Sequence, residues 1–555
     1  MGKNLVRFVF TAFFVSVLLQ LLAGFPLYIV KAQSDSDSDG ILDSEEKSLA
    51  FMYAPYLHFV GGEKFYPTSV LYHVENSALY FRDGDVTRLI DASPTVKSVS
   101  SYKSDNYYLK NTLGVYEEIA KDYQEKRKTI GDIVYARVTK SGGYFVIQYW
   151  FFYAFNPGKL NQHQGDWEMI QIVLDSDEKP LYAFYSQHFA GEKAIWDDVG
   201  KVNGHPEVYV ALGSHANYFR PYQGKLGMEN DVVGGSVTLK PGDYRIVLLS
   251  DSSPWLEFGG RWGDWAEQAD IALGAVGPTG PGHGENADKW YNPISWGNKL
   301  FSVDQTWFSL SWIVYNSTYI ILAIVVALSI IKTGRIVKRK RDGKLNIGKV
   351  LRSKAGIGVV LGIAGVAIYL LAMFMPWYVV KGDVQTSALK TIGEVDLALI
   401  DGVDGVRINT LQSNGLTGLF GLGISFSIIL LSSVILSFLD IIGIEKPRSL
   451  GRKYIRSGIA SLIPVVIILI FIAQLSTLVT PLAAMVGDIP PQATKMLDLI
   501  SSSPISGSYR DTLDSYGTVY LSWGLGIGSY LFVVAAITRF IAGIILGIST
   551  SGVEE

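Results

Sequence analysis

Apolar residues fall along this chain in two rhythms, and the change comes near residue 300. From about Ser48 to Leu300 the apolar runs are short, rich in aromatic and β-branched residues, and interrupted by Gly, Pro or Asp. That pattern predicts a series of strands packed as an all-β sandwich over 48–300. Beyond it, five long apolar stretches lie at about 311–331, 356–378, 415–440, 457–484 and 518–547. Each is long enough to cross a hydrocarbon layer of ~30 Å as a helix. A sixth stretch, Leu5 to Val30, has Lys3 and Arg7 at its head, and residues 1–32 are expected to act as a signal anchor or cleavable signal peptide.

The charges between the stretches give them a direction. The loop 332–355 carries ten Lys and Arg residues against the single acid Asp342, and Lys446, Arg448, Arg452, Lys453 and Arg456 repeat the signal. The alternate loops carry Asp396, Asp401 and Asp404, then Asp488, Asp498, Asp511 and Asp514. By the positive-inside rule the basic loops are cytoplasmic. The expected protein is therefore a multi-pass cell-membrane protein with an extracytoplasmic domain and an α-helical transmembrane bundle. Residues 33–310 lie outside, one span at 311–331 leads to a four-span bundle over 356–547, and the carboxy terminus is cytoplasmic. Small residues such as Gly358, Gly362, Gly365, Gly543 and Gly547 suit close helix packing. Arg539 is the ionisable residue furthest inside a span and is expected to snorkel toward the cytoplasmic end.

A net charge of −3 offers no basis for nucleic-acid binding, and the basic loop reads as a topology determinant in contact with anionic membrane lipid. The chain has no cysteine, so its outer domain stands on its core rather than on disulfides.

Two polar clusters carry candidate chemistry. Asp35, Asp37, Asp39, Asp43 and Glu46 occupy positions 1, 3, 5, 9 and 12 of a loop with Gly40 at position 6, within 33–47. That is the register of an EF-hand calcium loop, in which alternate oxygens converge on one Ca2+; a solvated Ser/Asp linker is the other reading. The second cluster is Asn161-Gln162-His163-Gln164-Gly165-Asp166-Trp167-Glu168. In a strand Asp166 and Glu168 point to one face and Trp167 to the other. Two carboxylates so close repel unless a cation, a proton or a base lies between them. With His163 they suggest a divalent metal site, its identity open among Mn, Mg, Ca, Fe and Zn; the alternative is a strand-edge Asp beside ordinary polar surface.

Neighbouring strands bring more histidine. Tyr144 to Phe155, Trp167 to Leu174 and Leu181 to Gln187 read as strands, the last two as a hairpin. Pairing Leu174 with Leu181 sets Gln187 opposite Glu168 and His188 beside both carboxylates. A further strand, Glu207 to Leu212, ends at Gly213-Ser214-His215. All seven histidines of the chain lie between His58 and His283.

The order Tyr53-Ala54-Pro55, Glu63-Lys64-Phe65-Tyr66-Pro67, Tyr149-Trp150-Phe151-Phe152, His163-Gln164-Gly165-Asp166-Trp167-Glu168, Ser186-Gln187-His188, Gly204-His205-Pro206, Gly213-Ser214-His215 and Gly277-Pro278-Thr279-Gly280-Pro281 resembles the vacuolar-protein-sorting 62-related domain over about 50–297. The carboxylate strip is also similar to the heptapeptide of necrosis- and ethylene-inducing proteins, whose His, Asp and Glu hold a divalent cation at the edge of a β-sandwich. By that resemblance His163, Asp166 and Glu168 are ligands. Asn156 stands where that family has a further Asp, and Gly165 where it has a second His, so His188, His215 or water is left to complete the shell. Cytolytic activity is not carried over.

Three functions are compatible with these residues. The first is a metal-bearing surface domain that recognises a polar ligand such as a glycan or lipid head group. The second is a metal-dependent hydrolase in which Glu168 or His215 shuttles a proton. The third is a structural subunit of a membrane complex.

Overall fold

The computed structural model describes residues 34–548 apart from 37, 85, 159–161, 189, 227–230, 250–252, 266–275, 305–308, 345–346, 386–391, 404, 410–415, 419–422, 445, 478–490 and 514–516. The apolar stretch at 5–30 and Asp37 therefore lie outside the described residues.

The amino-terminal region is built on a seven-stranded sheet. Its strands run in the order Tyr244–Leu248, Asp132–Ser141, Tyr144–Asn156, His163–Leu174, Pro180–Gln187, Ala190–Ile195 and Phe301–Ser302. The five central strands form an antiparallel meander, and the two outermost join in parallel. Tyr144–Asn156 and His163–Leu174 are apolar on both faces because both faces are covered, which is why they read as near-continuous apolar runs.

On one face Ile147, Tyr149, Phe151, Ile170 and Ile172 pack against Leu57, Phe59, Val208 and Val210. Those four belong to a smaller sheet in the order Lys201–Val202, His205–Val210, Tyr56–Phe59, Val237–Leu239, with Asn217–Tyr218 paired to His205–Val210. On the other face Trp150, Phe152, Trp167 and Met169 meet Val70 and Val74 of the helix Val70–Glu75 and Leu79 and Leu109 of a three-stranded sheet. Trp255, Trp262 and Trp296 from loops and a short helix complete that layer.

The region is thus mostly β, but it is not two sheets alone. The helix Tyr116–Ile130 departs from the all-β expectation. It buries only Ile119, Ala120 and Tyr123, too thin an apolar stripe to register as a helix in the sequence. Arg127 anchors it, clasping Asp132 at 2.6 Å and 2.7 Å.

In the carboxy-terminal half, four helices among the described residues are long and apolar enough to cross a membrane: Asn316–Arg341, Ala355–Met373, Pro447–Ala473 and Ile527–Ile548, with Ser427–Ile442 a shorter apolar helix. The stretch Pro447–Ala473 is two helices, Pro447–Ala460 and Ile463–Ala473, and the first begins ten residues before the expected 457 because its basic residues hide it from a hydropathy reading.

The segments expected as outer loops instead form a six-stranded sheet. Its order is Leu416–Gly418, Gly405–Asn409, Ile392–Asp401, Tyr378–Gln385, Gly517–Leu525 and Ser506–Leu513. Apolar strands run straight into apolar helices, so the expected spans 356–378, 415–440 and 518–547 each absorbed strand residues. The register Tyr378↔Leu525 joins the strand after Ala355–Met373 to the strand before Ile527–Ile548, which puts those two helix ends on one side. Trp377 locks the junction: its backbone accepts from Gly526 N and Ser529 Oγ, and its ring packs on Phe532.

Four of the five glycines named above make close contacts. A Cβ at Gly358 would fall 2.7 Å from Leu546, at Gly362 2.0 Å from the Tyr454 ring, at Gly365 2.8 Å from Arg539 and at Gly543 2.6 Å from Ile455. Arg539 itself is fully buried among the helices and does not snorkel.

Candidate functional site

The strand His163–Leu174 divides its side chains as a period of two requires. Trp167 joins the aromatic layer, 4.9 Å from Phe152 and 5.5 Å from Trp255, while Asp166 and Glu168 share the opposite face with Ile170 and Ile172. Gly165 enters the strand with φ +62, and a Cβ there would lie 2.1 Å from the carbonyl oxygen of Trp262. Only glycine fits at that approach.

His215 is brought to Asp166 from the turn that follows His205–Val210. Its Nδ1 is 2.8 Å from Asp166 Oδ2 and its Nε2 is 3.7 Å from Glu63 Oε1. The ring lies flat on Tyr153, with centroids 3.8 Å apart. Its backbone is left-handed at φ +55, a conformation that persists only where surrounding contacts enforce it. Glu63 is held in turn by the backbone N–H groups of Lys64, Phe65 and Gly213 at 2.7, 2.9 and 2.9 Å. Asn156 donates to Asp166 at 3.4 Å.

These groups set one another's charge. Burial alone makes His215 less basic, but hydrogen bonds and charge from Asp166 and Glu63 outweigh it and push the imidazole up to about 9, so it is a cation at neutral pH. For Glu63, burial raises the carboxyl, yet His215 and the backbone amides hold it below the usual range. Glu168 is pushed up to about 7, first by burial and then by the charge of Asp166, against the pull of Lys289 and a hydrogen bond from Ser186. The Tyr153 hydroxyl is buried without a hydrogen-bond partner, and burial with the nearby carboxylates keeps it neutral.

His188 arrives by the expected hairpin. The pairs Ile170↔Tyr185 to Val173↔Tyr182 follow the alignment of Leu174 with Leu181, although a local shift pairs Leu174 itself with Pro180. At φ +50 the backbone of His188 leaves the strand, and its Nε2 meets Asp231 Oδ2 at 3.0 Å rather than Asp166 or Glu168. Asp231 also accepts from Ser214 at 2.6 Å and Tyr218 at 2.7 Å. His163 places Nδ1 2.6 Å from the carbonyl of Gly165, and its charge is felt by Asp264. Among the described residues no three His, Asp or Glu side chains are grouped to hold a metal ion.

A cavity of about 280 Å³ adjoins this cluster at Glu63 and is lined by Glu63, Lys64, Tyr116, Pro157, Ser214 and Asp231 among others. Glu63 belongs to both the cluster and the cavity wall. A wider groove beside it is lined by Lys64, Tyr116, Lys121, Arg127 and Lys128.

In the acidic loop, Asp35 Oδ2 accepts from Gly40 N at 3.1 Å, Asp39 Oδ1 from Ile41 N at 2.8 Å and Asp43 Oδ1 from Ser36 N at 2.8 Å. Gly40 takes φ +86, as a sharp turn requires. Ile41 is fully buried in the main core, Glu46 is buried in the helix Asp43–Met52, and Lys140 donates to Gly40 O at 2.9 Å. The loop is therefore docked on the β-region.

Glu63, Ser186 and Asp231 did not stand out as site residues in the sequence. Glu63 and Asp231 come from segments remote from the carboxylate strip, and Ser186 from the strand paired with it; Glu63 and Ser186 each carried a signal, as parts of family motifs, and Asp231 carried none.

Residues 42–269 match the family model described as Vacuolar protein sorting-associated protein 62, as the order of motifs implied. Among solved structures, the chain is similar to NLPPya in complex with glucosamine, at 13% identity over 45% of this chain and 90% of that one, TM-score 0.23. It is also similar to NLPPya in complex with mannosamine, at 14% identity over 44% and 87%, TM-score 0.24. A third is Necrosis and Ethylene inducing Protein 2 from the causal agent of cocoa's Witches Broom disease, at 13% identity over 37% and 74%, TM-score 0.20. No curated protein matches the chain.

Proposed function

We propose that this chain is a membrane-anchored surface protein whose outer β-region binds a polar, hydroxylated ligand, a glycan or lipid head group, in the cavity at Glu63 that adjoins the buried Asp166, Glu168 and His215. One observation carries the reading. Buried Glu63 and Asp166 face the His215 imidazolium, and Glu168, near the buried Lys289, rises to about 7 through burial and then the charge of Asp166. A cavity that shares Glu63 with such a cluster, and has Asp231 in its wall, favours a ligand that brings positive charge or hydrogen-bond donors.

A divalent cation is the group that best supplies that charge. The donor chemistry fits a hard, oxygen-preferring ion, with Asp166 and Glu168 as its protein ligands and His215 or Glu63 at its flank. When bound it would hold Glu168 ionised and offer open positions to ligand hydroxyls. His163 has its Nδ1 on the carbonyl of Gly165 and is not needed for that set. We assign Ca2+ to the loop of Asp35, Asp37, Asp39, Asp43 and Glu46, where it would brace the entry of the chain into the β-region.

The test is binding of the full chain, in detergent, to immobilised glycans and to vesicles of defined head groups, with and without chelator. Retention of one ligand class that is lost with chelator and in Asp166→Asn supports the reading. Equal binding by the wild type and Asp166→Asn to every surface contradicts it. A hydrolase reading draws on the same Glu168, poised near neutrality for proton transfer; turnover of a bound ligand that disappears in Glu168→Gln would favour it.

A further inference from the structure

Arg539 lies twelve residues into the helix Ile527–Ile548, about 18 Å from its first end at the rise of an α-helix. It is fully buried. The guanidinium carbon lies 4.8 Å from the Tyr369 ring, and Nη1 donates to Ser461 Oγ at 3.1 Å. Among the described residues its Nε and Nη2 are buried with no hydrogen-bond partner.

Those two nitrogens form one edge of the guanidinium, the edge that takes both oxygens of an oxyanion at once. Arg127 shows its use in this same chain, with Nε and Nη2 on the two oxygens of Asp132 at 2.6 and 2.7 Å. At Arg539 the edge carries nothing, and the group cannot escape by losing its proton. The bundle makes room for it: a Cβ at Gly365 would fall 2.8 Å from Arg539 Cγ, and one at Gly458 3.4 Å from its Cβ.

Ser461, which holds Nη1, lies at the joint between the helices Pro447–Ala460 and Ile463–Ala473. The second helix begins there, with Pro464 in its first turn, and the start of a helix is electropositive. A broken helix of this kind inside a membrane bundle is a recurrent place for an anion. The hydroxyl of Tyr454, over Gly362, is also buried without a partner. A guanidinium edge, a helix start and a spare hydroxyl call for one negative group.

We propose that the helical bundle binds an oxyanion, a phosphate group, on the Nε–Nη2 edge of Arg539 beside the Ser461 joint. The phosphate is that of a lipid or a free ion. This rests on the four apolar helices being membrane spans.

The full chain is purified in mild detergent and examined by native mass spectrometry for retained phospholipid, and by thermal melting in added phosphate against chloride of equal ionic strength. A phospholipid that stays with the wild type, is lost from Arg539→Lys and is held about tenfold more weakly by Ser461→Ala supports a lipid source. A melting temperature raised by phosphate in the wild type but not in Arg539→Lys supports an aqueous one. Neither effect in the wild type, or either effect unchanged in both variants, overturns the site. Should Arg539→Lys not fold, Ser461→Ala decides alone, because it keeps the charge and removes only the hydroxyl that orients the edge. Release of the chain from membranes by alkaline carbonate would instead contradict the spans, an outcome separate from any loss of binding.

Discussion

Single residues in the outer region bear unusual charge states, and each has a nameable cause. His215 is kept protonated by two carboxylates that overcome its burial, whereas His73 has no such neighbours and is pushed down to about 4 by burial. The ring of His73 packs edge-on against Phe152 at 5.2 Å, inside the aromatic layer. Because its folded value lies below the ordinary 6.5, the unfolded chain takes up the proton first. The stability this group permits is complete above pH 6.5 and is lost as pH falls toward 4, by up to about 3 kcal/mol. Tryptophan-monitored melting of the full chain should therefore show a steeper loss between those values in the wild type than in His73→Leu. Equal slopes would remove His73 as the cause.

At the scale of elements, the strand that carries Asp166 and Glu168 was legible because a both-sides-buried strand is a long apolar run and a period of two separates Trp167 from its neighbours. The hairpin register over Ile170–Val173 was legible too, since the turn 175–180 leaves few alternatives. What was not legible is where the chain leaves those strands. His188 and His215 both sit in left-handed backbone, and neither position is marked by glycine. His188 therefore ends on Asp231, and His215 on Asp166 and Glu63. The six-stranded sheet was hidden for a different reason: its apolar strands adjoin apolar helices, and hydropathy does not separate the two. Gly165 is the joint on which the site strand depends. In Gly165→Ala the φ of +62 and the contact with the Trp262 carbonyl should cost about 3 kcal/mol and lower the melting temperature of the β-region. A variant that melts with the wild type would mean that the loop of Trp262 moves aside freely.

The whole molecule joins an outer β-region to apolar helices that carry a second, smaller sheet. The outward placement proposed for residues 33–310 rests on the basic loops, and the absence of cysteine makes it simple to examine. Ser101 and Lys344 are both exposed. Ser101→Cys should react with a membrane-impermeant maleimide on intact cells, and Lys344→Cys only after permeabilisation. The opposite pattern would invert the protein in its membrane and place the cavity over Glu63 inside the cell.

The most direct test of the central claim is the metal content of the full chain, purified without added metal and then dialysed against candidate divalent ions, beside Asp166→Asn and Glu168→Gln. Any calcium in the acidic loop is distinguished from an ion at Asp166 and Glu168 by Asp39→Asn. One ion per chain that survives Asp39→Asn and is lost in both cavity variants is the result predicted here. No ion beyond any in the acidic loop, under any of these conditions, would contradict a metal-bearing site and leave its charge to be balanced by protons, His215 and Lys289.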